Sequence, residues 1–147
     1  MPQRIRWNSK KGAFRDHEHE YVFRTSGTRK GLLVGLHKII SGEPETEPIA
    51  TCKLMDARLP EPEHHMNIRV GESLHGRTVH IYGAQYGDPM MRRKGFMPVL
   101  LTFLKQQGIK RAAAWPTSVT RPYFERLGFK ESKSSRRHEL PLDDWEG

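Results

Sequence analysis

The chain has 147 residues, 35% of them hydrophobic and 29% charged, with a net charge of +8. That length suits one domain, 1–147, with a core large enough to fold alone. No apolar run approaches a membrane span and no signal region follows the basic start, while the single cysteine, Cys52, excludes an internal disulfide and fits a reducing cytoplasm.

Residues 1–20 open with Arg4, Arg6, Lys10 and Lys11. Ile5 and Trp7 alternate with arginines, which reads as a short edge strand, with a basic arm as the alternative. His17 and His19 would share one face of a strand, but two histidines without a third ligand make no metal centre, and none is expected. Residues 21–26 read as a strand, 27–31 as a turn, and 32–40 as an apolar strand broken by His37 and Lys38. An acidic loop over 41–47 leads to a strand over 48–56, and the two strands form a hairpin. The first 31 residues show no 3.6-residue apolar period.

Residues 57–76 contain Pro60, Pro62, His64, His65, Gly71 and Gly76 and read as a long loop. Structureless loops of that length are uncommon in compact domains unless they are functional, and this one could fold over an acceptor site. Residues 77–87 form the next strand. Val79, Ile81 and Gly83 face one way; His80, Tyr82, Ala84 and Tyr86 face the other. Gly83 and Gly87 could ease a bulge.

A basic glycine turn follows, Arg92-Arg93-Lys94-Gly95-Phe96-Met97, and then a helix over 96–107. Phe96, Val99, Leu100, Phe103 and Leu104 make its apolar stripe, Pro98 lies in its tolerant first turn, and Gly108 ends it. The unpaired N–H groups at such a helix start suit a phosphate or pyrophosphate. A short strand of small residues (112–115), a turn (116–118), a helix with Thr120 as cap and Gly128 at its end, and a closing hairpin (129–131 with 138–142) complete the chain.

The glycine turn resembles the Q/R-x-x-G-x-G/A signature of the GNAT superfamily of N-acetyltransferases. Tyr123-Phe124-Glu125-Arg126-Leu127-Gly128-Phe129 is similar to the family's closing motif, in the same order and separation. The resemblance covers roughly residues 78–142 and is specific as a pair. It implies an α+β fold: a central, mostly antiparallel mixed sheet with flanking helices, its N-terminal helical part reduced. It implies an acyltransferase moving an acetyl group from acetyl-coenzyme A to an amine acceptor, in a domain type that often pairs as a homodimer.

Cofactor contacts implied by the resemblance are the strand end at Ala84, Gln85, Tyr86 and Gly87, the turn residues Arg92, Arg93, Lys94, Gly95, Phe96 and Met97, and then Ser118 and Phe124. Catalysis needs a base and an acid. His80 suits the first by its ordinary pKa, and Tyr123 or Ser118 the second. Met97 stands where the family has Gly or Ala, and its side chain could obstruct the pyrophosphate. Phe124 stands where the family often has a tyrosine, leaving the hydroxyl on Tyr123.

Residues 90–138 hold 12 Lys/Arg against 2 Asp/Glu, whereas 1–89 hold 13 against 11. Coenzyme A would use part of that charge, and the remainder suits a polyanion. Two alternatives therefore stand beside the acyltransferase: an enzyme of the same fold modifying a base or amine on nucleic acid, and a non-catalytic nucleic-acid-binding or assembly protein.

Overall fold

The computed structural model describes residues 6–8, 12–16, 19–28, 31–56, 76, 78–86, 95–132 and 137–146. These form a ten-stranded mixed sheet and two short helices. In chain order the strands are β1 (Arg6–Asn8), β2 (Ala13–Asp16), β3 (His19–Thr28), β4 (Gly31–Ile40), β5 (Glu43–Pro44), β6 (Ala50–Asp56), β7 (Thr78–Tyr86), β8 (Arg111–Ala114), β9 (Lys130–Glu131) and β10 (His138–Pro141). The helices are α1 (Phe96–Gln106) and α2 (Arg121–Leu127), and a 3-10 turn, Leu142–Asp144, follows β10. Their order across the sheet is β1-β2-β3-β4-β6-β7-β8-β10-β9, with β5 beside β4.

This corrects the expected fold class. The resemblance implied an α+β domain with helices flanking a central sheet, whereas the protein is dominated by its sheet. The reason lies in the first half. There apolar residues alternate along the strands, with Leu32, Val34 and Leu36 on β4 and Ala50, Cys52 and Leu54 on β6 all buried. A period of two can cover one face of a sheet but cannot make a helical stripe.

β3 and β4 pair over Glu20–Thr28 and Gly31–Ile39, and β4 and β6 pair with Leu36 opposite Ala50. Every pairing is antiparallel except that of β7 with β8, which α1 connects. The strands present one face to α1, whose Phe96, Met97, Val99, Leu100, Leu101, Phe103 and Leu104 are buried. Seven buried positions in eleven residues make a wide stripe, suited to lying flat on a sheet. Phe103 stacks on Phe23 of β3, ring centroids 4.5 Å apart, so the helix is fixed to a strand far from it in sequence.

Both ends of α1 are set by glycine. Gly95 precedes it at φ 87°, and Gly108 follows it at φ 82° with its N–H donating to Lys105 O. Past β10, Trp145 Nε1 donates to Thr102 Oγ1 at 3.0 Å and Lys105 Nζ donates to Trp145 O at 2.6 Å. These bonds hold the C-terminal segment against the helix. No helix among the described residues is long and apolar enough to cross a membrane.

Candidate functional site

The site starts from a break in the sheet. β7 and β8 pair in parallel over three positions only, Thr78–Arg111, Val79–Ala112 and His80–Ala113. β7 then runs on to Tyr86 while β8 ends at Ala114. On its other side β7 stays paired to β6 as far as Ala50–Tyr86. Among the described residues the β7–β8 ladder ends at His80–Ala113, and β7 continues past it over positions 81–86.

The same stretch carries a bulge. Thr51 pairs Gln85 and Lys53 pairs Tyr82, so Cys52 alone faces Gly83 and Ala84. A bulge bends and twists the strand carrying the extra residue, and beyond it, among the described residues, the end of β7 stays paired with β6 alone. Glycine at position 83 permits it. Cys52 opposite is fully buried, and burial pushes its thiol up to about 12. That keeps it protonated and unreactive at neutral pH.

Of the residues expected to hold a cofactor, Ala84, Gln85 and Tyr86 lie on this strand end. Gly87, Arg92, Arg93 and Lys94 lie outside the described residues. Gly95 owes its identity to its positive φ and to the Pro98 ring, which a Cβ there would meet at 3.1 Å. Phe96 and Met97 are 1% and 3% exposed and belong to the core. The Met97 side chain therefore points into the protein, not across the start of the helix.

Ser118 lies exposed in the turn before α2, where Thr117 and Thr120 bond to each other rather than to it. Phe124 is half-buried, with its ring edge-on to Phe129 at 5.2 Å. Tyr123, also half-buried, packs beside Phe124 at 5.9 Å. Both therefore serve the packing of α2.

His80 stands at the last paired position before the strands part. Arg137 Nη1 lies 3.1 Å from its Nε2, and Arg137 Nη2 lies 2.9 Å from Glu139 Oε1. A guanidinium has donors only, so Nε2 accepts, and the neutral ring carries its proton on Nδ1. Register explains the cluster: His80, Ala113 and Glu139 are neighbours in one cross-strand row, and the small Ala113 leaves room between the two longer side chains. Trp115, 58% exposed, meets His80 edge-on at 6.2 Å. Tyr82 follows on the same face, its phenol pushed upward by burial.

Arg137 and Glu139 are the residues that sequence reasoning missed. Their only signal was charge in the last strand, and nothing in the spacing linked position 137 to position 80.

No family model matches the chain, and no curated protein matches it. It is similar to the crystal structure of a protein of unknown function from Aquifex aeolicus, with 15% identity and a TM-score of 0.40 over 89% of this chain and 72% of that one. A likeness of that size bears on neither fold nor function.

Proposed function

We propose that the chain is an acyltransferase that holds a coenzyme A thioester along the end of β7 and passes the acyl group to an amine. The observation that carries this reading is the parting of β7 from β8 just past His80, after which β7 runs on as extended backbone to Tyr86. A strand edge binds an extended, amide-bearing ligand as an added strand. The pantetheine arm of coenzyme A is a ligand of that kind.

When bound, the coenzyme supplies an activated thioester carbon. The rest falls to this chain. The edge of β7 orients the ligand, and the start of α1, with Met97 turned into the core, offers N–H groups and the positive end of a helix dipole to phosphate. His80 and Arg137 flank the point where the strands part. The Arg137 donors suit negative charge developing on a carbonyl oxygen. If Arg137 turns to that oxygen, His80 Nε2 takes a proton from the amine as the amine nitrogen bonds to the acyl carbon, and the C–S bond breaks with coenzyme A leaving as the thiolate that this proton neutralises.

Thermal unfolding with acetyl-coenzyme A, coenzyme A and buffer tests the reading. A ligand at a hundredfold excess over its Kd adds about 2.7 kcal/mol, which raises Tm by about 5–10 °C in a chain of this size. No shift with either ligand contradicts it.

A second reading rests on the 12 Lys/Arg against 2 Asp/Glu in residues 90–138 and on the exposed Trp115. In it the amine belongs to a nucleic acid, or the chain binds nucleic acid without catalysis, with Trp115 as a stacking surface. Affinity for RNA or DNA that falls steeply with salt supports it, and affinity indifferent to salt opposes it. We propose a cytoplasmic location for either activity, a compartment that suits a chain with one cysteine.

A further inference from the structure

The sheet face turned away from α1 carries a groove made by an absent side chain. Arg24, Gly35 and Thr51 are register neighbours across β3, β4 and β6. Gly35 is buried and its φ is not in the left-handed region, so the backbone does not demand glycine there. Space does. A Cβ at Gly35 would stand 3.0 Å from His37 Nε2 and 3.4 Å from Pro48 Cβ. Without it, a groove of about 380 Å³ opens among Arg24, Ser26, Leu33, His37, Pro48 and Thr51.

Among the described residues the groove presents an imidazole nitrogen and a guanidinium that have no partner. His37 Nδ1 is 2.7 Å from the carbonyl oxygen of Glu45. A carbonyl only accepts, so Nδ1 carries the proton, and Nε2 of the neutral ring is left as an acceptor above Gly35. Nε2 has no partner among the described residues. The exposed Arg24 has no ion-pair partner among them either.

We propose that this groove binds a phosphate group that carries its own O–H donor, whether or not the chain transfers acyl groups. Arg24 meets the charge, the hydroxyls of Ser26 and Thr51 donate to oxyanion oxygens, and His37 Nε2 accepts the O–H. At neutral pH a carboxylate or a sulfate offers charge but no donor. Inorganic phosphate offers both. Among the described residues the lining holds no carboxylate, which disfavours a metal ion at this place.

The test is an NMR titration of the full chain with inorganic phosphate, and separately with sulfate, at constant ionic strength. It is run at about pH 8. Expected are saturable shifts confined to Arg24, Gly35, Thr51 and the His37 ring nitrogens, with Nε2 moving most and phosphate binding more tightly than sulfate. Arg24→Gln, at an exposed position, weakens phosphate binding about tenfold. Gly35→Ala closes the groove and abolishes it. The proposal is overturned by the absence of saturable shifts, by equal affinity for sulfate, or by phosphate binding that Arg24→Gln leaves unchanged.

Discussion

Arg137 donates from Nη1 to Nε2 of His80 at 3.1 Å, across 57 residues of sequence and at the point where two parallel strands separate. The bond fixes the tautomer of the imidazole. It also ties the closing strand to the strand that opens the candidate site.

Arg137→Gln should therefore release the ring. The variant loses both the His80 contact and the ion pair with Glu139, whose side chains are 27% and 17% exposed for Arg137 and Glu139 respectively. Partial burial makes these charge-assisted bonds worth about 1–3 kcal/mol in urea unfolding. Long-range proton–nitrogen spectra should show His80 held in the Nδ1–H form in the native chain and as a tautomer mixture in the variant. A His80 spectrum that the substitution does not alter contradicts the assignment.

Gly12→Ala should destabilise the junction of sheet and helix. Gly12 has φ 61°, and a Cβ there would stand 2.8 Å from Cε1 of Phe103. The left-handed backbone costs about 1–2 kcal/mol for alanine, and displacing a ring stacked on Phe23 adds about 1–3 kcal/mol. Chemical denaturation measures the sum. A loss below about 0.5 kcal/mol shows that the ring moves aside freely.

Cys52 makes an alkaline prediction. Its thiol pKa is raised from 9.0 to about 12 by burial. The unfolded chain therefore ionises first, and the advantage of the neutral buried thiol is lost as pH rises from about 9 toward 12. Three units correspond to about 4 kcal/mol as an upper bound. Relative to Cys52→Ala, the native chain should lose stability over that window and none below it. Native protein at pH 8 should also resist alkylation until it is unfolded.

Much of the local structure was legible. The stripe of Phe96, Leu100, Phe103 and Leu104 between Gly95 and Gly108 is α1 almost to the residue. Gly83 announced the bulge, because only a residue without a side chain fits so many backbone conformations. The strands of the first half were legible over 21–26, 32–40 and 48–56, and the fold class was missed because the two motifs of the second half implied flanking helices around the sheet. Part of the candidate site could not be read at all. His80 and Arg137 meet through sheet order, and Gly35 and His37 make a groove through register, and neither relationship has a sequence period. The basic residues Arg92, Arg93 and Lys94, and the loop over 57–75, lie outside the described residues.

The central claim is that the end of β7 receives an extended thioester ligand. Amide hydrogen exchange across residues 81–86, with and without acetyl-coenzyme A, tests it most directly. An added ladder of hydrogen bonds should slow exchange there, and at the start of α1, while β3 and β4 remain as they were. Unchanged exchange over 81–86 in the presence of saturating ligand, or protection confined to another part of the sheet, contradicts the account.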